Sequence, residues 1–193
     1  IRGGTPEERK TVRLQRRAER RDADYHQRVQ TARSPRRKLI VVCDYARAAG
    51  LVVLADGKRG DIGSTARAYA AAYLEPRAEG AEPVADALTV NPYLGRDSVD
   101  PYLAACRRHG RGIFCVVRTS NAGGGEIQDL VLSDGRPLWQ QVAAQVAEWG
   151  ADVVGERGLS SVGAVIGATH PRAVAEARKL LPQSVLLLPG LGA

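Results

Sequence analysis

The chain has 193 residues, 44% of them apolar, and its 28 basic and 21 acidic side chains give a net charge of +7. That length suits one domain with a sizeable core. The sequence has no apolar run long enough to span a membrane and no signal-peptide pattern, so a cytoplasmic protein with no membrane partner is expected.

The charge is not spread evenly. Residues 1–47 hold 14 basic and 6 acidic residues, a net of +8, and the remainder holds 14 and 15. Arg-Arg pairs recur at Arg16-Arg17, Arg20-Arg21 and Arg36-Arg37, with few apolar residues and no clear period over 1–37. Such a segment buries too little apolar surface to offset the entropy of ordering it. It reads as a flexible basic tail or, since the chain starts at Ile1 and contains no Met, as a misread gene start. A nucleic-acid-binding arm ranks below both, because no aromatic residues interleave the arginines. Residues 1–45 are therefore set apart as an atypical basic segment, and 46–193 as the folded body.

From Lys38 the pattern turns orderly, and Lys38–Cys43 (KLIVVC) predicts a short strand. The apolar run Leu51–Ala55 predicts a buried strand, followed by Asp56-Gly57-Lys58-Arg59-Gly60-Asp61-Ile62-Gly63-Ser64-Thr65. Side chains alternate along a strand, so Asp56 and Lys58 project to one side and Gly57 to the other. A carboxylate and an ammonium then stand side by side at a strand's carboxyl end, where ligands sit in α/β proteins. A lone D-x-K is more often an exposed ion pair. Here it lies on a buried strand, with a second Asp and a helix start behind it.

Further strands are predicted at Ala87–Val90, Ile113–Val117, Ala164–Ala168 and Val185–Leu188. Helices are predicted at Ser64–Leu74, Val99–His109, Pro137–Trp149 and Pro171–Leu181, the last with Pro171 in its first turn. Strand and helix alternate throughout, which implies parallel βαβ units. Five or six units fit an incomplete (β/α)8 TIM barrel, lacking its first strands and its last, better than a small open sheet.

Polar residues recur at the predicted strand ends: Asn91-Pro92-Tyr93, Arg118-Thr119-Ser120-Asn121 with Gly123–Gly125, Thr169-His170 and Pro189-Gly190-Leu191-Gly192. Asn91-Pro92 reads equally as a turn, the glycine run as a flexible loop, and His170 as a residue flanking its helix. Trp139 and Trp149 read as packing residues. Cys43, Cys106 and Cys115 read as reduced, mostly buried thiols, and His26, His109 and His170 are isolated, so no metal site is expected.

The segments ADGKRGDIGSTA, LTVNPYLG, VRTSN, VGAVIGATHP and LLLPGLGA, in this order, resemble the orotidine 5'-phosphate decarboxylase family, and within it the bacterial subgroup carrying DxKRGDIGST. The resemblance covers about residues 46–193. It implies a (β/α)8 barrel, removal of carbon dioxide from orotidylate to form uridine monophosphate, no metal or organic cofactor, and a homodimer with shared sites. It implies Lys58 as the acid that protonates C6, Asp56 beside the departing carboxylate, and Asp61 reaching into the neighbouring subunit's site. It implies Ile62 and Thr65 as lining of that shared site, Ser120 as a hydrogen-bonding partner of the pyrimidine, and Pro189 at the ring's edge. The partner expected is thus a small nucleotide rather than nucleic acid.

The sequence also departs from the family. No counterpart of the other catalytic lysine is apparent, since Lys38 is the only lysine close upstream and it begins an apolar run. Gly57 stands where the subgroup usually has alanine. The chain stops at Ala193, before the family's phosphate-holding glutamine and arginine. Weak or absent turnover is expected of the chain as given. The alternatives are a sugar-phosphate decarboxylase or synthase of the same barrel superfamily, or an inactive fragment.

Overall fold

The structure is a computed structural model and describes residues 6–191. It divides into two compact units, Ile1–Val53 and Leu54–Ala193.

The first unit holds helix α1 (Pro6–Thr31) and helix α2 (Pro35–Ala48). The strand expected at Lys38–Cys43 is instead the middle of α2. Ser34 caps this helix, its Oγ accepting the Arg37 N–H at 3.2 Å, and Pro35 occupies the first turn. Those start signals outweigh the small propensity cost of the β-branched run, and Val41 and Cys43 bury their side chains. Polar and aromatic contacts join the two helices. Tyr25 packs on Tyr45 with ring centroids 4.4 Å apart. Tyr45 Oη donates to Asp22 Oδ1 at 2.6 Å, and Arg21 Nη1 donates to the Ala48 carbonyl at 3.1 Å. Where a flexible tail was expected, the chain from Pro6 is helical.

The second unit is a five-stranded parallel sheet with helices between the strands. In chain order it runs β1 (Leu54–Arg59), α3 (Gly63–Leu74), β2 (Ala87–Val90), α4 (Arg96–His109), β3 (Gly112–Arg118), α5 (Gly125–Gln128), α6 (Leu138–Gly150), β4 (Ser160–Ile166), α7 (Pro171–Leu180) and β5 (Ser184–Leu187). The spatial order is β1-β2-β3-β4-β5, every neighbouring pair parallel. An open doubly wound sheet reverses its strand order at a switch point, whereas a barrel wall does not. The sheet is thus a partial β/α barrel.

Two strands differ from expectation by more than one residue. β1 starts at Leu54 rather than Leu51 and continues through Arg59, so Asp56 and Lys58 lie within the strand and not after it. β4 starts at Ser160, whose Oγ donates to the Gly150 carbonyl at 2.8 Å and accepts the Val162 N–H at 3.0 Å. It ends at Ile166 as the chain turns toward α7.

The core lies between sheet and helices. Leu88, Val90, Ile113, Val162 and Ile166 meet Ala66, Ala70 and Leu74 of α3, Leu103 of α4, and Trp139, Val146 and Trp149 of α6. Ala66, Ala70 and Leu74 fall four residues apart on one stripe, and the small alanines let α3 approach the sheet closely. Both tryptophans are packing residues, each 4% exposed, and the three cysteines are buried.

Candidate active site

The carboxyl end of β1 is irregular in a way that determines its chemistry. Leu54 and Ala55 pair with Ala87 and Leu88, but the next pair is Arg59 with Val90. Asp56, Gly57 and Lys58 therefore face a single residue, Thr89, across a β-bulge. Lys58 takes φ +41°, the left-handed region, and is the only non-glycine with positive φ among the described residues. That conformation costs an L-residue about 1–2 kcal/mol, so its surroundings must hold it.

The bulge places the two charges together. Lys58 Nζ donates to Asp56 Oδ1 and Oδ2, both at 2.7 Å. Thr89 Oγ1 donates to Asp56 Oδ1 at 2.8 Å and accepts the Lys58 backbone N–H at 2.8 Å. The Lys58 ammonium, and after it the Thr89 hydroxyl, hold the Asp56 carboxyl below its ordinary value of 3.8. Lys58 and Asp56 side chains remain 53% and 60% exposed, open to a ligand. A carboxylate with both oxygens on an ammonium keeps that ammonium oriented, as required of a proton donor or of a group facing a developing anion.

Arg59 faces the other way, over Tyr69 and Tyr73 of α3, its guanidinium carbon 5.2 and 5.7 Å from their ring centroids. Its Nη2 donates to Tyr73 Oη at 3.0 Å. This clamp fastens α3 to the strand end and so fixes the turn that carries Asp61 and Ile62. Asp61 Oδ1 accepts the Ile62 N–H at 2.8 Å. Its charge acts on Tyr102, whose buried phenol is pushed up to about 12, mainly by burial. Ile62, the first residue before α3, and Thr65 in its first turn are exposed.

The remaining strand ends form a second group. Thr169 Oγ1 donates to the Ser120 carbonyl at 3.3 Å, and the Ala168 N–H donates to the Pro189 carbonyl at 2.9 Å. A Cβ placed on Gly190 would stand 3.6 Å from Ser120 Cβ, so the loops after β3, β4 and β5 converge on Ser120. Pro189 is exposed beside it, and Gly192 lies outside the described residues. Asn91 forms a turn, its Oδ1 accepting the Tyr93 N–H at 3.0 Å. His170 occupies the position before α7 and makes no side-chain cap.

The glycine run is not loose. Ala122–Gly124 forms a 3-10 turn leading into α5, and Arg118, 5% exposed, fastens it from below. Arg118 Nη1 donates to the Thr119 carbonyl and to Gln128 Oε1 at 2.9 and 3.1 Å, and Nη2 pairs with Asp129 Oδ2 at 2.8 Å. Gln128 Oε1 also accepts the Thr119 N–H at 2.9 Å. Sequence reasoning missed Thr89 and Gln128, and named Arg118 only as a polar residue at a strand end without a role. The available signals were a hydroxyl inside the apolar run Leu88-Thr89-Val90 and an arginine closing the apolar strand β3.

The sequential parallel sheet, with an ion-paired lysine and hydroxyl side chains on its carboxyl rim, defines a protein of the β/α-barrel class. Comparison with known proteins narrows this class. Residues 31–193 match the Orotidine 5'-phosphate decarboxylase / HUMPS family, and the chain belongs to it. The match begins upstream of residue 46, where the resemblance was expected to start. An orotidine 5'-phosphate decarboxylase of Rhodopirellula baltica is 51% identical over 153 residues, covering 79% of this chain and 50% of that protein. One from Caldicellulosiruptor bescii is 43% identical, covering 78% and 50%. The solved structure of Leishmania donovani OMP decarboxylase superposes with TM-score 0.65 at 33% identity, covering 81% of this chain and 57% of that one. The chain spans about half the length of the curated relatives it matches.

Proposed function

We propose that this chain carries the proton-delivering part of an orotidine 5'-phosphate decarboxylase site, converting orotidine 5'-phosphate to uridine 5'-phosphate in pyrimidine biosynthesis. The observation that carries the reading is the Lys58 ammonium held on both oxygens of Asp56 at a strand's carboxyl end. Membership of the family supports it.

Breaking the bond from C6 to the carboxylate releases carbon dioxide and leaves the electron pair on C6. A fixed ammonium beside C6 stabilises that pair because its charge is oriented before the bond breaks. Lys58 then transfers one of its protons to C6, and the neutral amine regains a proton from solvent. Asp56 holds the Lys58 ammonium in place through both carboxylate oxygens. Its repulsion of the substrate carboxylate is relieved as carbon dioxide leaves. Ser120 hydrogen-bonds the pyrimidine, with Pro189 at the ring's edge. Asp61, Ile62 and Thr65 serve the neighbouring subunit's site in a homodimer. The scheme uses no metal or organic cofactor, and the protein is cytoplasmic. The test is the fall in orotidine 5'-phosphate absorbance with the purified chain and with Lys58→Ala. Turnover lost in the variant supports the reading, and turnover retained overturns it.

A further inference from the structure

We propose that Thr89 is the positioning residue of this site: its hydroxyl closes the β1 bulge and so sets where the Lys58 ammonium points. The consequence for catalysis rests on the decarboxylase reading; the positioning itself does not.

The argument starts from the bulge. Three residues of β1 oppose one residue of β2, so the regular ladder supplies no backbone carbonyl for the Lys58 N–H. An unmet donor next to a buried strand is costly. Thr89 is fully buried, and its hydroxyl has one proton to give and lone pairs to accept with. It accepts the Lys58 N–H at 2.8 Å and gives its proton to Asp56 Oδ1 at 2.8 Å. One hydroxyl thus grips both ends of the D-x-K element. It holds Lys58's backbone in the left-handed region, and it holds the carboxylate that orients Lys58's side chain. Valine at this position has nearly the same shape but neither function. Serine keeps both.

The test compares the full chain with Thr89→Val and Thr89→Ser. The first readout is amide hydrogen exchange at Lys58 by NMR, with the Leu88 amide as internal control. Thr89→Val is expected to quicken Lys58 exchange by about tenfold or more while Leu88 is unchanged, the size set by one lost buried hydrogen bond. Thr89→Ser is expected to keep the slow exchange. Lys58 exchange unchanged in Thr89→Val overturns the proposal, and so does a general quickening that includes Leu88, since that marks loss of packing. The second readout is turnover of orotidine 5'-phosphate. Thr89→Val is expected to lower kcat about tenfold or more with KM nearly unchanged, and Thr89→Ser to restore it. If the wild-type chain decarboxylates nothing, the decarboxylase reading fails alone, and the exchange data still decide the positioning.

Discussion

Asp56 receives hydrogen bonds of two origins, two charged ones from Lys58 and a neutral one from Thr89. Both favour its ionised form, so its carboxyl titrates below 3.8 in the folded chain. The sign of the linkage follows. The pair's contribution to stability is complete above the unfolded value and is lost as pH falls through the lowered folded value. It is small, because both side chains are more than half exposed. Following the Asp56 carboxyl carbon by NMR should give a midpoint below 3.8 that moves up in Lys58→Ala. An unmoved midpoint would mean that the ion pair does not form in solution. The nearness of the pair was legible in the sequence from D-x-K on a strand, although the bulge rather than regular alternation brings the charges together. For Thr89 the sequence offered only a hydroxyl inside the apolar run Leu88-Thr89-Val90. Its partners depend on the bulge in β1, which that run does not reveal.

Among the elements, the βα alternation was readable from periodicity, and the strand and helix order follows it. The failure at Lys38–Cys43 has a local cause. A run of β-branched residues has little preference of its own, and the Ser34-Pro35 start signal decided for helix. The glycine run after Asn121 misled for the opposite reason. Glycine suggests looseness, but Arg118, nearly buried beneath it, ties both ends down. Arg118→Ala should therefore raise amide exchange across Gly123–Gln128 and expose that segment to limited proteolysis, leaving the amides of β2 protected. Equal protection in the variant would show that packing, not the arginine, orders the loop.

At the scale of the whole molecule, the two units differ in what holds them. In α1 and α2 the buried apolar side chains among the described residues are Val41 and Cys43, whereas the sheet and its helices bury a continuous core from Ala66 to Leu181. Local opening free energy follows burial. Hydrogen exchange by mass spectrometry should show α1 and α2 exchanging well before β2, β3 and β4. Uniform protection would contradict that division. The family assignment spans both units, since it begins at residue 31. The function proposed for the chain nonetheless stands on one lysine. The decisive measurement is ultraviolet-monitored turnover of orotidine 5'-phosphate by the purified, folded chain beside Lys58→Ala. The expected result is slow decarboxylation that falls by about a hundredfold or more in the variant, the scale of losing a positioned proton donor. Equal, measurable rates in the two proteins would contradict the role given to Lys58.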